Sequence, residues 1–202
     1  MLSREFDVFC PDLKGFGNNA DMPFPYSLSD YVFEIREYIK DTGLNRPHVI
    51  GHSFGGRVAI KAAAEDKELF DKIVLCDAAG LKPRFSFARA AKKAAFKTAK
   101  KILPEKRLKR FYSADYLAVG GVMRESFKLI VGETLDGVLD KIENETLIIF
   151  GKNDKETPPY MAKRLYRGIK KSELRFIDGA GHFPFLDKPF TFYGEVKGFL
   201  QK

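Results

Sequence analysis

A chain of 202 residues with 45% hydrophobic and 31% charged residues is long enough for one globular domain with a sizeable core, which excludes a disordered chain. The net charge is +8, and the two cysteines give no disulfide or metal-binding pattern, so no metal or other cofactor is expected. Cys10 and Cys76 each lie in an apolar run, where a free thiol is usually a small buried hydrophobe. Neither a signal-peptide pattern nor a run of eighteen apolar residues occurs, so a soluble, cytoplasmic protein is expected.

Strand-like and helix-like segments alternate along the first part of the chain. The apolar run 6–13 ends at a glycine-rich turn and predicts a buried strand. A helix is predicted to begin after Ser27, which has the capping-box spacing with Asp30, and to end near Gly43. Three segments follow: HVIGH is a predicted strand, FGGRVAIKAAAED is a predicted helix, and KIVLCDA is a further predicted strand.

The chain after residue 141 repeats this alternation. It consists of the predicted strand TLIIFG, a helix that starts at Pro158, the strand ELRFID and a last helix through GEVKGFLQ. Strands separated by helices predict an α/β fold, in which a mostly parallel sheet carries helices on both faces.

The stretch HVIGHSFGGRVAI places a serine at a tight corner between a predicted strand and a predicted helix. A serine hydroxyl is a poor nucleophile until a base removes its proton and donors stabilise the oxyanion that forms. The glycines of the GxSxG pattern leave room for a sharp bend, which lifts Ser53 out of the sheet and aims the Phe54 amide at the same point. A structural glycine turn is the alternative, but the flanking strand and helix favour a nucleophile.

An acid and a base follow later in the chain. Asp154 comes directly after TLIIFG and His182 comes directly after ELRFID, and the ends of parallel strands are where an open α/β sheet collects its site. The other two histidines precede the serine, so His182 is the candidate base, with a locally hydrogen-bonded loop histidine as the alternative. Asp77, at the end of KIVLCD, competes with Asp154 for the acid. We favour Asp154 because it directly precedes the histidine unit; Asp77 then has a structural role.

With these residues the chain resembles the serine hydrolases of the α/β-hydrolase fold. Ser53 matches the nucleophile elbow, Asp154 the GxxD loop and His182 the GAGHF loop, and CPDLKGFG and the helix from Pro189 match as well. The resemblance implies a Ser/Asp/His triad that acts through an acyl-enzyme on a small ester-like substrate, such as an ester, thioester or amide, or on a carbon-carbon bond. A serine nucleophile argues against the epoxide hydrolase and haloalkane dehalogenase branches.

One departure from the family pattern affects both the fold and the activity. The resemblance implies three strands and an HG loop before CPDLKGFG, and that loop would donate the second oxyanion hydrogen bond, so the fold is expected to be N-terminally shortened. The predicted strand at residues 6–10 should then either leave a slot beside the nucleophile strand or close onto it, and an exposed sheet edge could let the chain oligomerise. A non-catalytic or weakly active fragment of a longer hydrolase is the alternative function.

Residues 78–141 interrupt the alternation between the two core parts, 1–77 and 142–202, and the resemblance implies a helical lid there. Residues 82–110 hold twelve Lys or Arg and one acid, with alanines at helical spacing, which predicts a basic amphipathic helix. A solvated face is the simplest interpretation, and weak contact with anionic membranes stays open. No recognised nucleic-acid module accompanies the charge, so no nucleic-acid partner is expected. Residues 112–127 are expected to form the rest of the lid over the serine.

Overall fold

The computed structural model describes residues 1–87, 91, 95–96 and 120–202. Within these ranges one parallel sheet has the order β1-β2-β3-β4, so that each strand pairs with the next one along the chain. The strands are β1 (Val49–His52), β2 (Ile73–Cys76), β3 (Thr146–Gly151) and β4 (Ser172–Ile177). The parallel α/β architecture that the alternation predicts is confirmed.

Helices precede, connect and follow the strands. Those within the described residues are α1 (Leu28–Asp41), α2 (Phe54–Glu65), α3 (Gly121–Gly132), α4 (Pro159–Gly168), α5 (Pro184–Asp187) and α6 (Pro189–Leu200), with short 3-10 turns at Leu2–Arg4, Gly17–Asn19 and Asp136–Lys141. The capping box at α1 is present, since Ser27 Oγ accepts from the Asp30 amide and the Asp30 carboxylate accepts from the Ser27 amide. Gly43 follows the same helix with φ +68°, a conformation that favours glycine.

Alternate residues of the two central strands point to opposite faces of the sheet. Ile73 and Leu75 of β2 belong to a core that includes buried residues of α1, α2 and α4. Val74 and Cys76 belong to a second core, formed mainly with α6. The strict period of two explains why these strands are continuously apolar in sequence: both of their faces are covered by helices.

The segment of residues 6–13 does not form the predicted strand. It is irregular, and Val8 and Phe9 are each 49% exposed. The prediction was wrong because an apolar run becomes a strand only when a neighbouring backbone pairs with it, and no described strand does. Cys10 is likewise exposed, contrary to the expectation of a buried thiol, whereas Cys76 is buried.

Strand β1 lies at the outer edge of the described sheet. Its partner is β2, and among the described residues no strand pairs with its other side, where Ile50 is 39% exposed. Residues 6–10 therefore neither close onto β1 as a strand nor form a strand one place away from it. Oligomerisation through this edge stays a prediction.

The predicted basic lid helix lies largely outside the described residues, as does the lid stretch 112–119. The described part after it is anchored to α2 by Arg57, which is only 8% exposed. The Arg57 guanidinium donates to the main-chain oxygens of Ile130 and Glu133 at the end of α3.

The division of the chain at residues 78 and 141 stays a prediction. Within the described ranges, no helix combines the length and apolar character that crossing a membrane requires.

The corner between β1 and α2 is closed so tightly that one of its two pattern glycines has no room for a side chain. A Cβ atom at Gly51 would lie 2.7 Å from the Gly55 carbonyl oxygen, whereas a Cβ at Gly55 would have no described heavy atom within 4 Å. Only Gly51 is therefore required by steric contact, and the second glycine of GxSxG is sterically replaceable.

We predict that Gly51→Ala lowers the free energy of unfolding by about 3 kcal/mol, because the methyl group must displace the backbone of α2. Gly55→Ala is the matched control and should change the free energy of unfolding by no more than about 1 kcal/mol, since alanine favours a helix. Urea unfolding of both variants measures this difference. Equal losses in the two variants would contradict the steric account.

Candidate active site

Ser53 occupies a strained backbone position between β1 and α2. Its φ of +47° lies in the left-handed region, which typically costs a residue other than glycine about 1 to 3 kcal/mol. Hydrogen bonds on both sides hold it there: the Ser53 amide donates to the Cys76 oxygen at 3.0 Å, and the Ser53 oxygen accepts from the Ala79 amide at 3.0 Å. The strain projects the serine side chain beyond the carboxyl end of the sheet.

The structure brings Ser53, His182 and Asp154 together in one line of hydrogen bonds. Ser53 Oγ lies 3.0 Å from His182 Nε2, and His182 Nδ1 lies 2.9 Å from Asp154 Oδ2. The His182 side chain is 7% exposed and that of Asp154 is fully buried, so the bond between them is shielded from water. With the ring proton on Nδ1, Nε2 is left as the acceptor for the serine hydroxyl.

The loop that carries His182 has to cross the sheet to reach the serine, because Ser53 follows β1 and His182 follows β4. Three strand spacings separate these strands, a distance of about 14 Å. The loop lies close against the end of β3, where the Asn153 amide donates to the Ala180 oxygen at 2.9 Å and a Cβ at Gly151 would overlap the Gly181 carbonyl oxygen. Gly151 is therefore needed for this close approach.

His52 holds the end of the His182 loop that lies nearest β1. Its Nε2 lies 2.7 Å from the His182 carbonyl oxygen and donates to it, and its ring packs against those of His182 and Phe183. Burial lowers the pKa of His52, although its hydrogen bond to His182 acts in the opposite direction, so the ring is neutral at pH 7. From the sequence, this histidine was noted only as one that precedes the serine, and its contact with His182 was missed.

Asp154 is held as a carboxylate by a dense set of donors. Its Oδ1 accepts from the amides of Glu156 at 2.8 Å and Thr157 at 3.1 Å, and its Oδ2 accepts from the Thr157 hydroxyl at 2.5 Å. Burial alone would raise the pKa of Asp154, but the hydrogen bonds from His182, Thr157 and Asp77 outweigh it and lower the pKa. Thr157 was missed in the sequence, although a threonine three residues after an aspartate is a known local hydrogen-bonding pattern.

Asp77 lies beside Asp154, and it has no hydrogen bond to the His182 ring. It is fully buried, and its Oδ1 accepts from the Gly151 amide at 3.0 Å, which links the ends of β2 and β3. Burial, together with a hydrogen bond to Asp154, raises the pKa of Asp77 to about 8. Of the two candidate acids, Asp154 is the one whose carboxylate lies against His182.

Asp77, Asp154 and His182 each present a ligand-type atom within 4.8 Å of the others, which is close enough to hold a metal ion. Those atoms are already used in hydrogen bonds: His182 Nδ1 bonds to Asp154, and Asp154 also accepts from Thr157. The group therefore fits a hydrogen-bonded network better than a metal site.

Glu156 adds a second carboxylate near the serine. Its Oε2 lies 3.5 Å from His182 Nε2, the ring nitrogen that faces Ser53, and its side chain is 65% exposed. No sequence pattern singled out this residue, because its relation to His182 depends on the crossing of two loops. It places a negative charge beside the ring nitrogen that faces Ser53.

The Phe54 amide is the first of helix α2, where main-chain amides have no acceptor within the helix and the helix dipole favours negative charge. The Phe54 ring is fixed by aromatic neighbours, with ring centroids 5.0 Å from Tyr31 and 5.6 Å from Phe16. An apolar wall therefore stands next to the serine, formed by residues outside the predicted lid.

A polar cleft of about 310 Å³ lies at the opposite end of the sheet, where the strands begin. It is lined by charged residues of both signs and by Asn144. It has no contact with Ser53, which follows the carboxyl end of β1, and the chemistry is therefore assigned to the carboxyl ends of the strands and not to this cleft.

Comparison with known proteins gives one family match and several distant relatives. Residues 1–195 match the alpha/beta hydrolase family. An uncharacterized protein of Mycobacterium tuberculosis is 25% identical over 234 residues, which cover 98% of this chain and 69% of that protein. The 2-hydroxy-6-oxo-6-(2'-aminophenyl)hexa-2,4-dienoic acid hydrolase of Metapseudomonas resinovorans is 25% identical over 224 residues, which cover 100% of this chain and 76% of that enzyme.

Solved structures give the same fold. The meta-cleavage product hydrolase from Pseudomonas fluorescens IP01 superposes with a TM-score of 0.74 at 22% sequence identity, covering 99% of this chain and 81% of that one. At this level of identity the likeness shows the fold alone. The family match extends over nearly the whole sequence, and the hydrolases among the relatives agree with it. The chain belongs to the alpha/beta hydrolase family of enzymes.

Proposed function

We propose that this chain is a serine hydrolase of esterase type, which cleaves a small acyl substrate through an acyl-enzyme on Ser53. The observation that carries the proposal is the unbroken hydrogen-bonded line of a hydroxyl, an imidazole and a buried carboxylate, with heavy-atom distances of 3.0 and 2.9 Å. Lines of this kind activate serine on unrelated folds, so the support lies in the geometry as well as in the family.

In the proposed reaction the neutral His182 ring takes the Ser53 proton at Nε2 while Oγ attacks the acyl carbon. The negative charge that develops on the acyl oxygen is stabilised by the Phe54 amide at the start of α2. Asp154 stabilises the imidazolium through Nδ1, and His182 then gives its proton to the leaving alcohol as the bond to it breaks. A water molecule, deprotonated by His182, hydrolyses the acyl-enzyme and restores Ser53.

We predict that a fluorophosphonate probe labels the wild-type chain and that Ser53→Ala abolishes the labelling, because the probe reacts only with an activated serine. Ser172→Ala, at the start of β4, is the matched control and should label like the wild type. Labelling that survives Ser53→Ala would remove Ser53 as the nucleophile. A wild-type chain that is folded yet never labelled would favour the alternative of a non-catalytic protein.

We predict that Asp154→Asn lowers ester turnover by about four orders of magnitude, as loss of the orienting carboxylate does in other triads, because the amide favours the wrong ring tautomer. Asp77→Asn should lower it far less, since Asp77 has no hydrogen bond to the ring. Steady-state kinetics of both variants compares the two acids. The opposite ranking would assign the acid to Asp77.

A carbon-carbon bond hydrolase is the competing activity that the family resemblance leaves open, and one relative is named as the hydrolase of a dienoic acid. The dienoic acid in the name of the Metapseudomonas enzyme carries a carboxylate. In this chain the Glu156 carboxylate stands 3.5 Å from His182 Nε2, where it would repel a negatively charged group near the scissile bond. This repulsion favours substrates without a carboxylate near the reacting carbon, whether the bond cleaved is an ester bond or a carbon-carbon bond.

We predict that Glu156→Gln raises kcat/KM for an ester whose acyl group ends in a carboxylate by about fourfold, the effect of one like charge about 5 Å away in a water-like dielectric. The neutral ester of the same length should change little, and added salt should reduce the difference between wild type and variant. Glu145→Gln, at the other end of the sheet, is the control. An unchanged preference in Glu156→Gln would show that Glu156 does not select the substrate.

A further inference from the structure

The proposed mechanism does not use Asp77, although this carboxyl is fully buried at the carboxyl end of β2. Its main chain is in the left-handed region, with φ +42°, and its amide donates to the Ile149 oxygen at 3.1 Å. Its Oδ1 accepts from the Gly151 amide at 3.0 Å, and its Oδ2 lies 3.5 Å from Cys76 Sγ. The carboxyl is thus held in one orientation from several sides.

Asp77 and Asp154 present carboxyl oxygens within 4.8 Å of each other in a buried space. Two carboxylates in such a position do not both ionise, because like charges repel strongly where water is excluded, so one of them keeps a proton. Asp154 is the ionised partner, since it accepts from two amides, from the Thr157 hydroxyl and from His182. Asp77 accepts from one amide, that of Gly151, and from the weak thiol donor of Cys76, so the proton remains on Asp77.

We infer that Asp77 is a positioning residue of this site: it stays protonated and donates a hydrogen bond to Asp154, which keeps that carboxylate ionised and aimed at His182 Nδ1. The inference rests on the proposed function and adds a fourth member to the hydrogen-bonded line. Asp77 touches neither the substrate nor the reacting atoms. It acts through Asp154.

The arrangement has a pH limit, because Asp77 can donate only while it keeps its proton. The pKa of about 8 places its ionisation just above neutral pH. In the part of the chain that the structure describes, the titratable groups that face it are Asp154, His182 and Cys76. Burial raises the pKa of the Cys76 thiol far above its usual range, so the thiol stays neutral and cannot account for an ionisation near pH 8.

Above that pH the hydrogen bond is lost and two like charges face each other. Asp154 then orients His182 less well, and kcat should fall while KM changes little. Asn is the informative replacement at position 77, because its amide oxygen can accept from Gly151 and its amide nitrogen can donate to Asp154 at every pH.

The test compares wild type, Asp77→Asn and Asp77→Ala in ester turnover from pH 6 to 10. We expect the ratio of wild-type kcat to Asp77→Asn kcat to be constant below pH 7 and to fall at least about threefold across pH 8. The ratio falls because Asp77 ionises in the wild type, whereas the asparagine of the variant cannot ionise. Asp77→Ala should lose about 10- to 100-fold in kcat at pH 7, and Asp77→Asn should rescue most of that loss.

A second buried residue controls for a purely structural effect. Thr146 is 1% exposed, donates to the Asn144 oxygen at 3.0 Å and lies at the opposite end of β3. Thr146→Ala should lower stability without changing the shape of the pH profile of kcat. A Thr146→Ala profile that changes like that of Asp77→Ala would mean that stability, not positioning, controls the rate.

The pH dependence of the free energy of unfolding gives an independent measure of whether Asp77 is protonated. The raised pKa means that the folded chain binds a proton at Asp77 which the unfolded chain releases above its ordinary carboxyl pKa. This contribution to stability is complete below about pH 4 and is lost as the pH rises to about 8. Over that range the folding equilibrium constant falls by up to tenfold per pH unit. Urea unfolding should show this slope in wild type relative to Asp77→Asn.

The outcomes separate this inference from the proposed function. If the fluorophosphonate probe never labels the wild-type chain, the proposed function fails. If labelling and ester turnover are present but the kcat ratio of wild type to Asp77→Asn stays constant or rises across pH 8, only the role of Asp77 is overturned. Parallel stability profiles of the two proteins would also overturn it, because Asp77 would then be ionised at neutral pH.

Discussion

The distance that the His182 loop must span governs the rest of the site. Ser53 and His182 follow the two outer strands of the described sheet, about 14 Å apart, yet their side chains meet at 3.0 Å. The loop can cover this distance because it lies directly on the end of β3, where Gly151 has no side chain, and because His52 binds its far end through the His182 oxygen. The packing of the strand ends therefore positions the base.

The position of the His182 loop also explains why only one of the two buried carboxyls, Asp154 and Asp77, is ionised. Once the His182 ring lies over the end of β3, Asp154 is the nearest acid and gains the donors that keep it ionised. Asp77, at the end of β2, is left with one main-chain donor and a neighbouring negative charge. A low dielectric makes the doubly ionised state costly, so the two aspartates take different roles in one small volume.

Much of this could be predicted from local sequence patterns. Ser53, Asp154 and His182 each follow a predicted strand, and in a parallel sheet the carboxyl ends of the strands share one edge, so their meeting follows from the fold class. The helix cap at Ser27 and the turn at Gly43 depend only on neighbouring residues, and both were predicted correctly.

The failures have a common physical cause, which is that they concern contacts between distant segments. Residues 6–13 have the composition of a strand but no paired neighbour, and Cys10 is exposed with them. The roles of Glu156 and His52 depend on how one loop lies across another. A pattern that is read residue by residue carries no information on that arrangement.

The proposed mechanism requires Ser53 to form a covalent acyl-enzyme with an ester substrate. This intermediate can be trapped by mixing the chain with a slowly hydrolysed ester, stopping the reaction with acid within the first turnover, and mapping the added mass to a peptide. We expect one acyl group per chain on the peptide that contains Ser53. An acyl group on another nucleophile, such as the exposed thiol of Cys10, or turnover with no acylated peptide at any time, would contradict it.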